Sequence, residues 1–154
     1  MDLNFFDPET IIVFWKMLLA VFLGATIGVE REVAHKFAGM RTHALVALGS
    51  VLFTVISQSL SGSTVDPTRI AAQIVTGIGF LGAGMIVFDS SRVKGLTTAA
   101  GVWVAAAIGM AIGFDLYSVA VFTTFLTVLI FVFLWPIEQY FVKRLAADEN
   151  RKHD

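Results

Sequence analysis

The chain contains no cysteine, so disulfides, thiolate metal sites and thiol catalysis are excluded, and the redox compartment leaves no mark on it. Charge is scarce as well. Asp, Glu, Lys and Arg together make up 15% of the 154 residues, against about 25% in an ordinary soluble domain. Proline occurs 3 times, at positions 8, 67 and 136, and the long intervals between carry nothing that forbids a helix. The opening residues hold Asp2, Asp7 and Glu9 but no Lys or Arg, the reverse of a secretory signal's basic start. The first apolar tract is therefore expected to stay as an uncleaved anchor. A net charge of -1 gives no reason to expect nucleic acid as a partner.

What fills the chain is apolar: 56% of residues are hydrophobic and the mean hydropathy is +0.79. A helix that crosses a bilayer needs about 20 apolar residues, and such tracts fall at 11–29, 42–60, 70–88, 96–114 and 116–135. The expected fold class is an all-α membrane protein with five transmembrane helices within residues 1–136, followed by a short cytoplasmic tail, 137–154. Pro8 suits the start of the first helix and Pro136 is expected to close the last. The turn formers of SGSTVDPT (Ser61 to Thr68) separate tracts two and three. The link around Gly113 and Asp115 is so short that helices four and five must form an antiparallel hairpin.

Basic residues segregate by side. Arg31, Lys36 and Arg41 lie between tracts one and two, Arg92 and Lys94 between three and four, and Lys143, Arg144, Arg151 and Lys152 after tract five. The opposite connections hold only Arg69, with Lys16 just inside the first helix, where its stem can stay in hydrocarbon while the ammonium reaches the headgroups. The positive-inside rule then places the N-terminus outside and the C-terminus in the cytoplasm.

Helix two sets His43, Ala47, Ser50, Thr54, Ser57 and Ser61 at steps of four and three, which keeps them on one face. That face is either a polar seam lining a cavity or an interface held by weak hydroxyl bonds. Helix three carries Gly77, Gly79, Gly82 and Gly84 in TGIGFLGAGM. A dinucleotide fingerprint would need a preceding strand and water-accessible phosphate contacts, so the glycines read as sites of close backbone packing or of a helix break. Gln73 lies one turn earlier. Small residues recur every fourth position at Ala20, Gly24 and Gly28 in helix one, and at Gly101, Ala105, Gly109 and Gly113 in helix four, a spacing suited to tight helix crossings.

At the expected cytoplasmic boundary, Glu30, Arg31, Glu32, Arg41, Thr42, His43, Lys94, Thr97 and Thr98 fall near helix ends and form one potential patch. Glu30 or Glu32 is placed to pair with Arg41. Asp66 and Arg69 are the external counterparts, with a turn and a salt bridge as their expected role. The aromatics Phe122, Phe125, Phe131, Phe133 and Trp135 of helix five read as lipid-facing or interfacial.

The runs GATIGVERE (Gly24 to Glu32), MRTHALVALGS (Met40 to Ser50), DPTRIAAQIVTGIGFLGAGMI (Asp66 to Ile86) and VKGLTTAAGVWVAAAIGMAIG (Val93 to Gly113) closely resemble the hallmark segments of the MgtC/SapB family of bacterial inner-membrane proteins. They cover most of helices one to four, in the family's order. The resemblance implies a multi-pass protein of the bacterial inner membrane, a link to growth under magnesium limitation and to virulence, and control of the proton-driven ATP synthase in place of direct magnesium transport. It carries the family's functional positions onto Glu30, Glu32, Arg41, Asp66, Arg69 and Gln73 as candidates. The virulence members end in a soluble ACT-like domain; this sequence stops at Asp154, which marks it as a short, SapB-like member.

Function is therefore expected to be regulatory, through contacts with another membrane protein. The alternative is an ion transporter or channel subunit, although Asp and Glu occur only at the ends of the tracts. No enzymatic activity is expected, because His43, the one histidine within a tract, lies at its rim. No cofactor is expected, Mg2+ being the one ion with a claim, and the small-residue stripes suggest a homodimer.

Overall fold

A computed structural model describes residues 7–60, 66, 68–89 and 92–150. It holds helices α1 (Pro8–Val33), α2 (Met40–Ser59), α3 (Thr68–Gly84), α4 (Leu96–Gly113) and α5 (Tyr117–Asn150), with a hairpin of β1 (Val87–Asp89) and β2 (Arg92–Lys94) between α3 and α4. Ser61, most of the connection to α3 and residues 151–154 lie outside the described residues, as do the side chains of Arg92, Lys143 and Arg144.

α1, α2, α4 and α5 each contain a stretch long and apolar enough to cross a membrane, whereas α3 is a shorter apolar helix. The third tract is thus shorter than expected, ending at Gly84 and not at Phe88. Its last turn tightens, with Met85 and Ile86 donating N–H bonds to the carbonyls of Gly82 and Ala83. The chain then enters the antiparallel ladder that pairs Val87 with Lys94. Val and Phe suit such a ladder as well as a helix, so hydropathy alone runs past the true end.

Two other boundaries move outward. α1 continues past the expected limit of its tract at 29 to Val33 and carries Glu30, Arg31 and Glu32 at its end. α5 runs straight through Pro136 to Asn150, so that proline does not end the helix. It removes one N–H from the ladder, which a long apolar helix tolerates when neighbours and local adjustment satisfy the freed carbonyl.

α4 is the centre of the bundle and touches each of the other four helices. Its composition makes this possible, because Gly101, Ala105, Ala106, Gly109 and Gly113 are all buried and let backbones approach on several sides at once. The face of α2 formed by His43, Ala47, Ser50, Thr54 and Ser57 is buried throughout. A Cβ on Gly24 would stand 2.6 Å from the His43 carbonyl oxygen, and one on Gly109 would stand 2.8 Å from the Ser50 Cβ. α2 is therefore clamped between α1 and α4. Thr54 adds a hydroxyl bond of 2.8 Å to the Ser50 carbonyl of its own helix. The small-residue stripes of α1 and α4 are consumed inside the chain and offer nothing to a second copy.

α3 behaves differently. Ala71, Ile74, Ile78 and Gly82 face the bundle, but a Cβ on Gly77, Gly79 or Gly84 would meet nothing within 4 Å. The close packing expected of these three glycines has no counterpart within the described chain. Gly77 lines an apolar cavity of about 540 Å3 between α2 and α3, opposite Leu45, Val46 and Phe53, and the neighbouring Phe80 is 81% exposed.

Candidate functional site

The connections after α1, before α4 and along α5 near Trp135 converge at one end of the bundle, where Lys36, Lys94 and Trp135 line one cavity of about 520 Å3. Of the basic residues counted above, Arg31, Lys36 and Lys94 line it. Its geometry starts from Glu32, whose carboxylate accepts the Met40 N–H at 3.0 Å. An unsatisfied donor at the start of α2 is thereby capped by the preceding helix, with the negative charge at the favourable end of the dipole. Gly39 makes the approach possible, since a Cβ there would lie 2.7 Å from the Glu32 Oε2. The expected pairing of Glu30 or Glu32 with Arg41 is not formed. Arg41, the residue after the capped donor, is exposed and makes no ion pair among the described residues.

Arg31 is the unusual member. It is 4% exposed, its Nε lies 3.2 Å from the Glu30 Oε2, and its guanidinium sits 4.1 Å from the centre of the Phe131 ring. A delocalised cation over an aromatic face is a favourable arrangement away from water. Phe131 is accordingly buried, which corrects the lipid-facing reading given to it. A signal for this was present in the sequence, because Ala120, Thr124, Thr127 and Phe131 are spaced by four, three and four and form the buried face of α5.

His43 is fully buried, with Nδ1 2.9 Å from the Gly39 carbonyl oxygen. Its Nε2 has no hydrogen-bond partner and faces Gly101, where a Cβ would stand 3.2 Å away. Thr98 is buried beside this group, whereas Thr97 is exposed and Thr42 half-buried. Lys94 pairs with Asp89 across the hairpin at 2.6 Å. The structure thus gathers Arg31, His43, Thr98 and Phe131 in one buried group, with the half-buried Glu30 paired to Arg31 and with Lys94 and Thr97 at its rim.

Asp66, Arg69 and Gln73 belong to the other end, where they line a separate cavity of about 380 Å3 with Ser57 and Leu60. They share no site with the Arg31 group. The same end holds a pair absent from the sequence reading. Lys16 is 7% exposed and does not reach out to headgroups. Its ammonium donates to Asp115 Oδ2 at 2.9 Å and to the Gly113 carbonyl at 3.2 Å, tying α1 to the α4–α5 turn. Asp115 adopts a φ of 62°, a conformation that Asp and Asn accept more readily than most residues. Hydrogen bonds from the Tyr117 hydroxyl and from Lys16 hold its carboxyl below the usual carboxylate range.

A depressed carboxyl stabilises the fold most fully above its unfolded value, near 3.8, and that contribution is lost as pH falls through the folded value. The melting temperature in detergent is expected to drop as pH goes from 5 toward 3, and Asp115→Asn, which keeps the backbone preference, is expected to flatten part of that drop. Asp115 is 56% exposed at its side chain, so the effect is modest, below about 1 kcal/mol. Identical acid profiles for the two proteins would contradict the assignment.

Among the described residues, no group of three or more His, Asp or Glu stands close enough together to hold a metal ion. Magnesium favours oxygen donors in near-octahedral geometry; Glu30 is committed to Arg31 and Glu32 to the Met40 N–H.

Residues 17–140 match the sequence profile described as the MgtC family. A protein of Escherichia coli K12 named YhiD, provisionally a magnesium transporter, is 44% identical over 75% of this chain and 57% of its own length. Protein MgtC of Brucella abortus strain 2308 is 47% identical over 78% of this chain and 50% of its own. An uncharacterized protein of Haemophilus influenzae is 40% identical over 96% of this chain and 65% of its own. The chain thus spans about half to two thirds of the length of these relatives. No solved structure matches.

Proposed function

The chain belongs to the MgtC family, and from that premise we propose that it is a multi-pass protein of the bacterial inner membrane that regulates another membrane protein in magnesium homeostasis, without itself passing the ion. α3 is its fifth span, with the N-terminus outside and the Arg31 end in the cytoplasm, in keeping with the basic residues there. The observation that carries the reading is the contrast between two sets of small residues. Those of α1 and α4 close the polar face of α2, which removes the most obvious ion path. A Cβ on Gly77, Gly79 or Gly84 of α3 would meet nothing within 4 Å, so around much of α3 there is room for another transmembrane helix to approach closely. The proton-driven ATP synthase is the partner that the family resemblance suggests, and low-magnesium growth and virulence are the settings it suggests.

The transport reading draws support from the name of the Escherichia coli relative. Two measurements separate them. Purified protein in liposomes is expected to give no magnesium flux above empty vesicles; stimulated flux that disappears on Gln73→Leu would establish transport. The cysteine-free background allows Gly79→Cys to be crosslinked in native membranes, with Gly109→Cys as the buried control. An adduct with a membrane subunit of the ATP synthase, absent from the control, is expected. Only self-adducts, or none, would remove this partner.

A further inference from the structure

The cavity at the basic end has two chemically distinct walls. Arg31 and Lys36 from α1 and its following turn, Lys94 from β2, and Thr97 and Thr98 from the first turn of α4 form one side. Ile130, Leu134 and Trp135 of α5 form the other, and Leu134 and Trp135 also belong to the exposed apolar surface of that helix. Among the described residues, no carboxylate lines the cavity. Glu30 and Asp89 stand behind Arg31 and Lys94 as ion-pair partners, leaving Lys36 as a cation without an ion-pair partner among the described residues. Arg31 is more than nine-tenths buried, and its Nε makes no hydrogen bond. The first residues of α4 add free N–H groups, since Gly95 caps that helix without a side chain and with a φ of 91°. A helix start of this kind favours an anion.

We propose that this cavity binds the phosphate headgroup of an anionic phospholipid, with the headgroup against Lys36, Lys94 and the start of α4 and an acyl chain along Leu134 and Trp135. The complementarity is twofold: cations and N–H donors meet a phosphodiester, and the apolar wall opens onto the surface that lipid tails already cover. Basic pockets between transmembrane helices at the membrane boundary are suited to such headgroups, and the volume of about 520 Å3 admits a glycerophosphate group and the start of a chain. A soluble anion would satisfy the basic wall but leave the tryptophan side unfilled. The inference rests on the membrane reading and not on the regulatory one. A protein that conducts magnesium and still retains the lipid would sink the latter and leave this site intact.

The test uses the full chain in detergent, titrated with cardiolipin, phosphatidylglycerol or phosphatidylethanolamine and read by native mass spectrometry. The two anionic lipids are expected to be retained well above the zwitterionic one, and Lys36→Gln is expected to weaken retention by about fivefold, the typical contribution of one basic residue at a charged surface. Arg69→Gln, at the opposite end, is expected to change nothing. Asp89→Asn frees Lys94 from its partner and is expected to strengthen retention, a gain that a damaged fold would not give. Equal retention of all three lipids, or equal loss on Lys36→Gln and Arg69→Gln, would overturn the proposal. Release of the lipid by millimolar inorganic phosphate would assign the cavity to a soluble anion and overturn it equally.

Discussion

Gly109→Val is expected to abolish the folded, monodisperse protein, whereas Gly79→Val is expected to leave it intact. Both glycines lie inside apolar helices, and helix propensity alone favours replacing either. The difference is what stands opposite. At Gly109 the first added carbon would run into the Ala47 carbonyl oxygen and come within 2.8 Å of the Ser50 Cβ. A backbone carbonyl cannot rotate aside, so α2 and α4 must separate, and the α1 contact through Gly24 is strained with them. Overpacking in cores costs about 1 to 3 kcal/mol even where side chains can yield; here the obstacle is main chain, and the loss belongs at or above the top of that range. At Gly79 the same carbon meets nothing within 4 Å. Size-exclusion profiles and melting temperatures of the two variants in one detergent decide the matter. A monodisperse Gly109→Val protein that melts like the parent would show that the α2–α4 crossing is looser than described.

That pair of glycines also marks the limit of what the sequence discloses. Gly79 and Gly109 sit in similar small-residue settings, and nothing local separates one that touches a neighbour from one that does not. The buried face of α2 was legible from His43 to Ser57 because a helix repeats every 3.6 residues and a polar stripe in an apolar helix must avoid lipid. The convergence of the basic connections at one end was legible from charge alone. Lys16 and Asp115 were not, since a pair separated by 99 residues has no local signature and each residue reads singly as a boundary charge. The end of α3 failed for another reason. Met85 to Phe88 is as apolar as a helix requires, and only the ladder with Arg92 to Lys94 makes Val87 to Asp89 a strand. Phe131 was hidden among the other aromatics of α5, although the hydroxyls at 124 and 127 mark its face.

The second large effect is expected at the Arg31 pair. Arg31→Met should destabilise the protein by about 3 to 5 kcal/mol, the range for breaking a buried ion pair by removing one partner. The loss arises less from the attraction removed than from what remains, because the Glu30 Oε2 is buried and has no hydrogen bond of its own. Without the guanidinium it must protonate, find water or open the α1–α5 contact. Phe131 loses the cation over its ring at the same time, a smaller contribution of about 0.5 to 2 kcal/mol. Glu30→Gln is expected to be harmful by the same logic, with Arg31 as the charge left behind. The double variant Glu30→Gln, Arg31→Met should then recover much of the loss, since a neutral amide beside a thioether strands no charge and the volume is nearly kept. Melting temperatures of the four proteins close a double-mutant cycle. A strongly favourable coupling would identify Arg31 and Glu30 as one unit at the end of α1, with Arg31 set against Phe131 of α5; additive losses would mean that each residue acts alone.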